Sequence, residues 1–257
     1  MKNVSYKSSV EYISDHLRRI NYALRIAISL LKGNDSLQQN ILPGIVYSPE
    51  GILHLLDQLD KNITESSPHS DVEQFLKPFK EKEKELRHSF YTRVKVSANE
   101  GKDFPFEILK NTFNITEDIE IDMLLLCLAP YVDARYEIIY GYIHDDLTKK
   151  YPTLQLIFDV LTEGIEERLE IEKYYSTDSP LFRWQILKYG SEPGGQSVST
   201  LFRPIYVDEP VVNFLLSNSG NISVYSESLP YLCFYKSDGQ FVRQLDELNI
   251  PVDKNKS

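Results

Sequence analysis

Apolar residues recur in steps of three and four from Val10 through Ile13, Leu17, Ile20, Leu24 and Ala27 to Leu31. That spacing lays one stripe along a helix of about six turns. Gly33-Asn34-Asp35 ends the pattern, with Gly33 suited to the left-handed residue that closes a helix. Such a stripe must be covered. A bundle in the same chain covers it, and so does a second chain in a coiled coil. Ile26, Ile28 and Leu30 widen the apolar face beyond a narrow seam, which favours burial within a bundle.

Further helices follow from the same logic. Ser48-Pro49-Glu50 has the N-cap and first-turn chemistry of a helix start, before Ile52, Leu53, Leu55, Leu56 and Leu59. Ser66-Ser67-Pro68 reads as a turn. Residues 80–86 alternate Lys and Glu before Leu86, the pattern of a solvated helical face. Gly101 and Pro105 mark a domain boundary within 97–105. A helix from Thr116 to Pro130 holds the apolar run Met123 to Leu126 and is expected to be buried on most sides. Others are expected over about 134–144, from Pro152-Thr153 through Leu161, and over about 165–174.

Phe182 to Tyr189 and Ser197 to Val207 then flank Pro193-Gly194-Gly195, which reads as a β-hairpin with a long loop. A last helix covers Glu209 to Leu216. The order of helices followed by a hairpin predicts a mainly α (α+β) chain. A helical N-terminal bundle is expected over 1–100, a winged-helix-like module over 101–220, and a short extended tail over 221–257.

Composition narrows the function classes. Of 257 residues, 28 are Lys or Arg and 38 are Asp or Glu, for a net charge of -10. Phosphate contacts need clustered cations, so the balance argues against a nucleic-acid binder. The helix at Thr153 to Thr162, taken as the candidate recognition helix, carries no Lys or Arg and ends near Glu163, Glu166 and Glu167. Arg183, Lys188 and Arg203 on the hairpin add little positive charge. Cys127 and Cys233 sit in apolar surroundings, read as buried thiols, and demand no oxidising compartment. The polar Met1 to Ser9 has no apolar signal core and no run reaches a membrane span, so the cytosol is the expected location.

Catalytic motifs are missing from the sequence. Gly101-Lys102 is followed by Asp103 and lacks the earlier glycine of a phosphate-binding loop. Ile143-His144-Asp145-Asp146 ends an apolar run in two acids, but three neighbouring side chains cannot converge on one ion. No catalytic residue, cofactor site or metal site is expected, and the chain does not read as an enzyme.

Residues 120–161 carry a more specific pattern. It includes Glu120-x-Asp122, Leu124-Leu125-Leu126, Ala129-Pro130, Asp133-x-Arg135-Tyr136-Glu137, Tyr140-Gly141-Tyr142, Asp145-Asp146-x-Thr148 and Pro152-Thr153. Ser179-Pro180-Leu181 with Arg183, then Arg203-Pro204, extend it, and Gly44 to Ser48 before an apolar helix is also similar. Over about residues 8–220 the chain resembles the N-terminal region of bacterial and archaeal AAA+ ATPases. Such ATPases accompany contractile injection systems. The resemblance implies a docking, substrate-engagement or assembly role with protein partners, namely the ATPase module or injection-system components. It also implies homo-oligomer formation through the ATPase module.

No Walker A motif, Walker B motif or arginine finger occurs before Ser257, so no ATPase residue carries over to this chain. A stand-alone scaffold or adaptor is the alternative, and a winged-helix DNA-binding regulator is a third reading. Asp133, Arg135, Tyr136, Tyr140, Tyr142, Asp145 and Asp146 are the candidate partner-docking residues, because Tyr and Arg favour interfaces. The structural alternative is that Asp133 caps a helix and an Arg–Asp pair ties helices together.

Overall fold

A computed structural model describes residues 4–34, 70–190, 199–217, 234–237 and 240–243. The helix expected from Ser48, the turn at Ser66 to Pro68, the Pro193 to Gly195 loop and Cys233 lie outside the described residues.

Helix α1 (Ser9–Asn34) follows the predicted stripe. Ile13, Leu17, Ile20, Leu24 and Ala27 are all buried, whereas Val10 at the head of the stripe is exposed. As the bundle reading expects, α1 packs on α2 (Ser70–Asn99), and also meets helices further along the chain. The seam is therefore covered within the chain, which leaves no role for it in an intermolecular coiled coil. Tyr12, His16 and Arg19 are buried beside it.

Gly101, with φ +71°, turns the chain out of α2 toward α3 (Pro105–Phe113). The expected domain boundary is only this turn. One hydrophobic cluster runs from Tyr6 and Tyr12 through Phe106 and Leu124 to Leu215, so the segments before and after residue 100 share a core. The buried stripe of α1 and the helix at 118–132, buried from Glu120 to Ala129, complete each other within that cluster.

Helix α4 (Asp118–Val132) occupies the centre, with every residue from Glu120 to Ala129 buried. It continues two residues past the expected stop at Pro130. Proline has no N–H for the carbonyl four residues back, here Leu126. That carbonyl instead accepts a hydrogen bond from the Tyr140 hydroxyl at 2.7 Å. Tyr140 lies on α5 (Arg135–Ile143), the next helix.

Thr153 caps α6 (Leu154–Leu161), its Oγ1 accepting from the Leu156 N–H at 3.1 Å. Thr162-Glu163-Gly164 then leads directly into α7 (Ile165–Glu170). Two helices joined by a three-residue turn with a glycine form a helix-turn-helix. The single helix expected over 165–174 is divided into α7 and α8 (Glu172–Tyr175). Phe182 and Arg183, expected to be extended, fall in a helical turn, α9 (Pro180–Arg183).

The hairpin pairs β1 (Leu187–Tyr189) with β2 (Ile205–Val207), antiparallel, with Lys188 opposite Tyr206. A bridge from Thr153 to Pro204 adds a third short strand position beside β2. Ahead of β2, Thr200–Phe202 is a 3-10 turn. Helix α10 (Glu209–Leu215) closes the module. In the tail, β3 (Phe234–Ser237) pairs antiparallel with β4 (Gln240–Arg243). The predicted mainly α (α+β) architecture with a winged-helix-like hairpin is what the chain forms.

Candidate functional site

The sequence-selected residues gather around the corner between α4 and α5, but they do three different jobs. Asp133 leaves α4 in an extended conformation, and its N–H donates to the Ala129 carbonyl at 3.0 Å. Its Oδ1 accepts from the Arg135 backbone N–H at 2.9 Å, and both carboxylate oxygens accept from the guanidinium. These hydrogen bonds from Arg135 hold the Asp133 carboxyl down at about 2. The two side chains thus form a chelate that shapes the corner and presents the outer side of the guanidinium to solvent.

Tyr136 is buried beside them. Its hydroxyl donates to Asn21 Oδ1 on α1 at 2.7 Å, and burial raises the phenol pKa. Between α1 and α5 runs a groove of about 410 Å³. Leu24, Ile28 and Ile139 give it an apolar floor, and Arg25, Arg135 and Asp133 line it with charge. Asn21 and Arg25 were not singled out by sequence reasoning, because nothing in the N-terminal helix pattern marks which residues oppose α5.

Tyr140 is a correction to the docking set. It is wholly buried, and its hydroxyl is committed to Leu126. A partner cannot reach it, so its role is to complete the backbone bonding of α4. Tyr142 lies on the opposite side and is exposed. Other exposed apolar side chains that sequence reasoning did not select are Tyr131 and Val132 at the end of α4, Ile138 on α5, and Leu147 in the following loop. Ile138 is 65% exposed. The signal was present in the helical spacing, because Arg135, Ile138 and Tyr142 fall three and four apart on the face opposite Tyr136, Tyr140 and Ile143.

Asp145 and Asp146 are turn residues. Asp145 adopts a left-handed φ of 50°. Asp146 Oδ1 accepts from the Thr148 N–H at 3.0 Å and from its hydroxyl at 2.6 Å, and those bonds lower the Asp146 pKa. His144 Nε2 lies 3.2 Å from the Tyr151 carbonyl. Among the described residues no group of three or more His, Cys, Asp or Glu side chains could hold a metal ion. None of the described helices is long and apolar enough to cross a membrane.

The expected recognition helix also needs correcting. Leu154, Leu156, Ile157, Phe158 and Val160 of α6 are buried, so α6 is the inner helix of the helix-turn-helix. The outer, second helix is α7.

A helix-turn-helix followed by a β-hairpin wing defines the class as a winged-helix protein. A family model described as "Winged helix domain, variant" matches residues 2–224, and the chain belongs to that family. Neither the curated proteins nor the solved structures yield a significant match. Winged-helix domains are in general non-catalytic.

Proposed function

We propose that this winged-helix chain is a non-catalytic recognition or assembly region of an AAA+ ATPase system, acting by protein–protein contact. The observation that supports this reading is the α4–α5 corner. Arg135, Ile138 and Tyr142 form an exposed stripe there, and Arg135 also lines the α1–α5 groove. Apolar and aromatic side chains with an arginine on a rigid corner are the composition of an interface centre. The stripe stands on an otherwise anionic chain of net charge -10. The mechanism is adaptor-like: the chain holds a partner protein, and ATP turnover belongs to the motor. The association with contractile injection systems rests on the resemblance of residues 120–161.

The test is site-specific photo-cross-linking in the native host, with a benzophenone amino acid at Tyr142. The expected result is an adduct to a protein bearing an ATPase module, or to a component of an injection assembly, suppressed by Ile138→Asp. An adduct to a protein of neither kind replaces the motor-linked reading with the stand-alone scaffold. Absence of any protein adduct overturns the corner as a docking face.

A further inference from the structure

The outer helix of the helix-turn-helix is where a DNA-binding winged helix lays its side chains into the major groove. Here that position is α7, continued by α8. Two apolar side chains one helical turn apart, Ile165 and Leu169, point to solvent, 48% and 67% exposed. Neither packs on the core, although Ile171 just beyond them does. Lys80 of α2 reaches Glu163 in the turn at 2.6 Å, and the exposed Phe75 and its ring neighbour Phe79 stand at that end of α2. Among the described residues nothing covers this apolar helix face.

Charge decides what can cover it. Glu166, Glu167, Glu170 and Glu172 are exposed around the apolar pair, and none forms an ion pair among the described residues. The local cations are already occupied. Arg168 is held by Asp159 at 2.9 Å, and the Lys173 ammonium sits 4.7 Å from the centre of the Tyr174 ring. Duplex DNA, anionic lipid and a second copy of this acidic chain are all repelled by such a rim. A cationic, amphipathic protein segment is attracted by it and also covers Ile165 and Leu169.

We propose that α7 is a second docking surface, and that its occupant is a partner's basic amphipathic helix rather than nucleic acid. Like-charged glutamates steer the encounter, and burial of Ile165 and Leu169 against the apolar side of the incoming helix holds it. The recognition position of the winged helix is thereby converted from phosphate binding to binding of a polycationic protein segment. This surface is separate from the α4–α5 corner, and its test can fail independently of the corner's.

The test uses the full chain and a fluorescent amphipathic peptide of Leu and Lys, about 18 residues long. The controls are the same peptide with Glu for Lys and a duplex DNA of about 20 base pairs. The Leu/Lys peptide is expected to bind, and to weaken as salt rises from about 0.05 to about 0.5 M. The triple change Glu166→Gln, Glu167→Gln, Glu170→Gln is expected to weaken it about tenfold, and Leu169→Ser about fivefold. Ile138→Asp at the corner is expected to leave it unchanged. All these positions are exposed, so unchanged thermal midpoints verify that the variants are folded. Peptide binding that survives both α7 changes is general attraction to an anionic protein and overturns the proposal. Absence of peptide binding overturns it too, as does duplex DNA binding that depends on α7.

Discussion

The Tyr140 hydroxyl occupies the hydrogen-bonding position that Pro130 leaves open. Pro130 sits inside α4 without an N–H, and the Leu126 carbonyl it would have engaged accepts from Tyr140 at 2.7 Å instead. The bond lies in the core, where an unsatisfied carbonyl is costly. It also fixes α5 against α4, and so sets the direction in which Arg135, Ile138 and Tyr142 face. A helix breaker and a buried phenol, ten residues apart in sequence, together build the corner.

Removing that hydroxyl tests the pairing. Tyr140→Phe is expected to cost about 1–2 kcal/mol, read as a lower urea midpoint. Restoring the backbone donor with Pro130→Ala is expected to reduce the Tyr140→Phe cost to below about 0.5 kcal/mol. Tyr142→Phe, on the exposed face, is expected to leave stability unchanged. Equal Tyr140→Phe costs in both backgrounds would show that the two residues act separately.

Arg19 is only 2% exposed, and its guanidinium pairs with both oxygens of Asp122 across the α1–α4 contact. Asp122 also accepts from Arg87 of α2 at 3.1 Å, and Arg87 reaches Asp118 at 2.8 Å, so one ionic cluster ties three helices. A buried pair resists removal of one partner far more than replacement of both. Arg19→Met is expected to cost about 3–5 kcal/mol. Adding Asp122→Leu is expected to recover most of that, as measured by chemical denaturation.

His16 predicts a pH dependence. Tyr12 donates its hydroxyl to Glu107 at 2.5 Å, so its oxygen accepts from His16 Nε2 at 3.1 Å. His16 Nδ1 is then unprotonated, and it has no hydrogen-bond partner among the described residues. Burial holds the imidazole pKa well below its ordinary 6.5. The unfolded chain therefore binds the proton more readily than the folded one. The neutral imidazole's contribution is complete above 6.5 and is lost as pH falls below it toward the folded value. The loss approaches about 1.4 kcal/mol per pH unit in that window. Thermal melts at pH about 7.5 and about 5.5 are expected to separate more for the parent than for His16→Phe. His144, also lowered by burial, contributes equally to both proteins and cancels in the difference.

Two glycines give opposite expectations. A Cβ on Gly141 would lie 3.2 Å from the Leu147 Cα, where the loop folds back over α5. Backbone cannot yield cheaply, so Gly141→Ala is expected to destabilise by about 1–2 kcal/mol. Gly164, in the helix-turn-helix, has extended backbone and no atom within 4 Å of such a Cβ. Gly164→Ala is expected to fall within about 0.5 kcal/mol of the parent. Paired urea titrations compare them directly.

Much of the fold was legible because it depends on local periodicity and end chemistry. The α1 stripe, the helix start at Pro152-Thr153 and the burial of Met123 to Leu126 each follow from neighbours within one helical turn or so. The candidate site was legible only in part. Arg135, Tyr136, Tyr140 and Tyr142 were marked together with Asp133, Asp145 and Asp146, yet their spacing alone could not say which face the core would take. Once Tyr136, Tyr140 and Ile143 turned inward, Ile138 and Tyr142 were left outside.

The amino-acid order by itself determined that helices form at α1, α4 and α6, which stripe α1 must bury, and that the chain carries a net negative charge. Those properties arise from backbone sterics, capping groups and side-chain composition, all short-range. Tertiary structure alone decided that Arg19 would be buried against Asp122, that Tyr140 would repair the gap at Pro130, and that α7 rather than α6 would be the outer helix. Each of these depends on which distant surface covers a side chain, because burial and pairing are settled by the packing of whole helices.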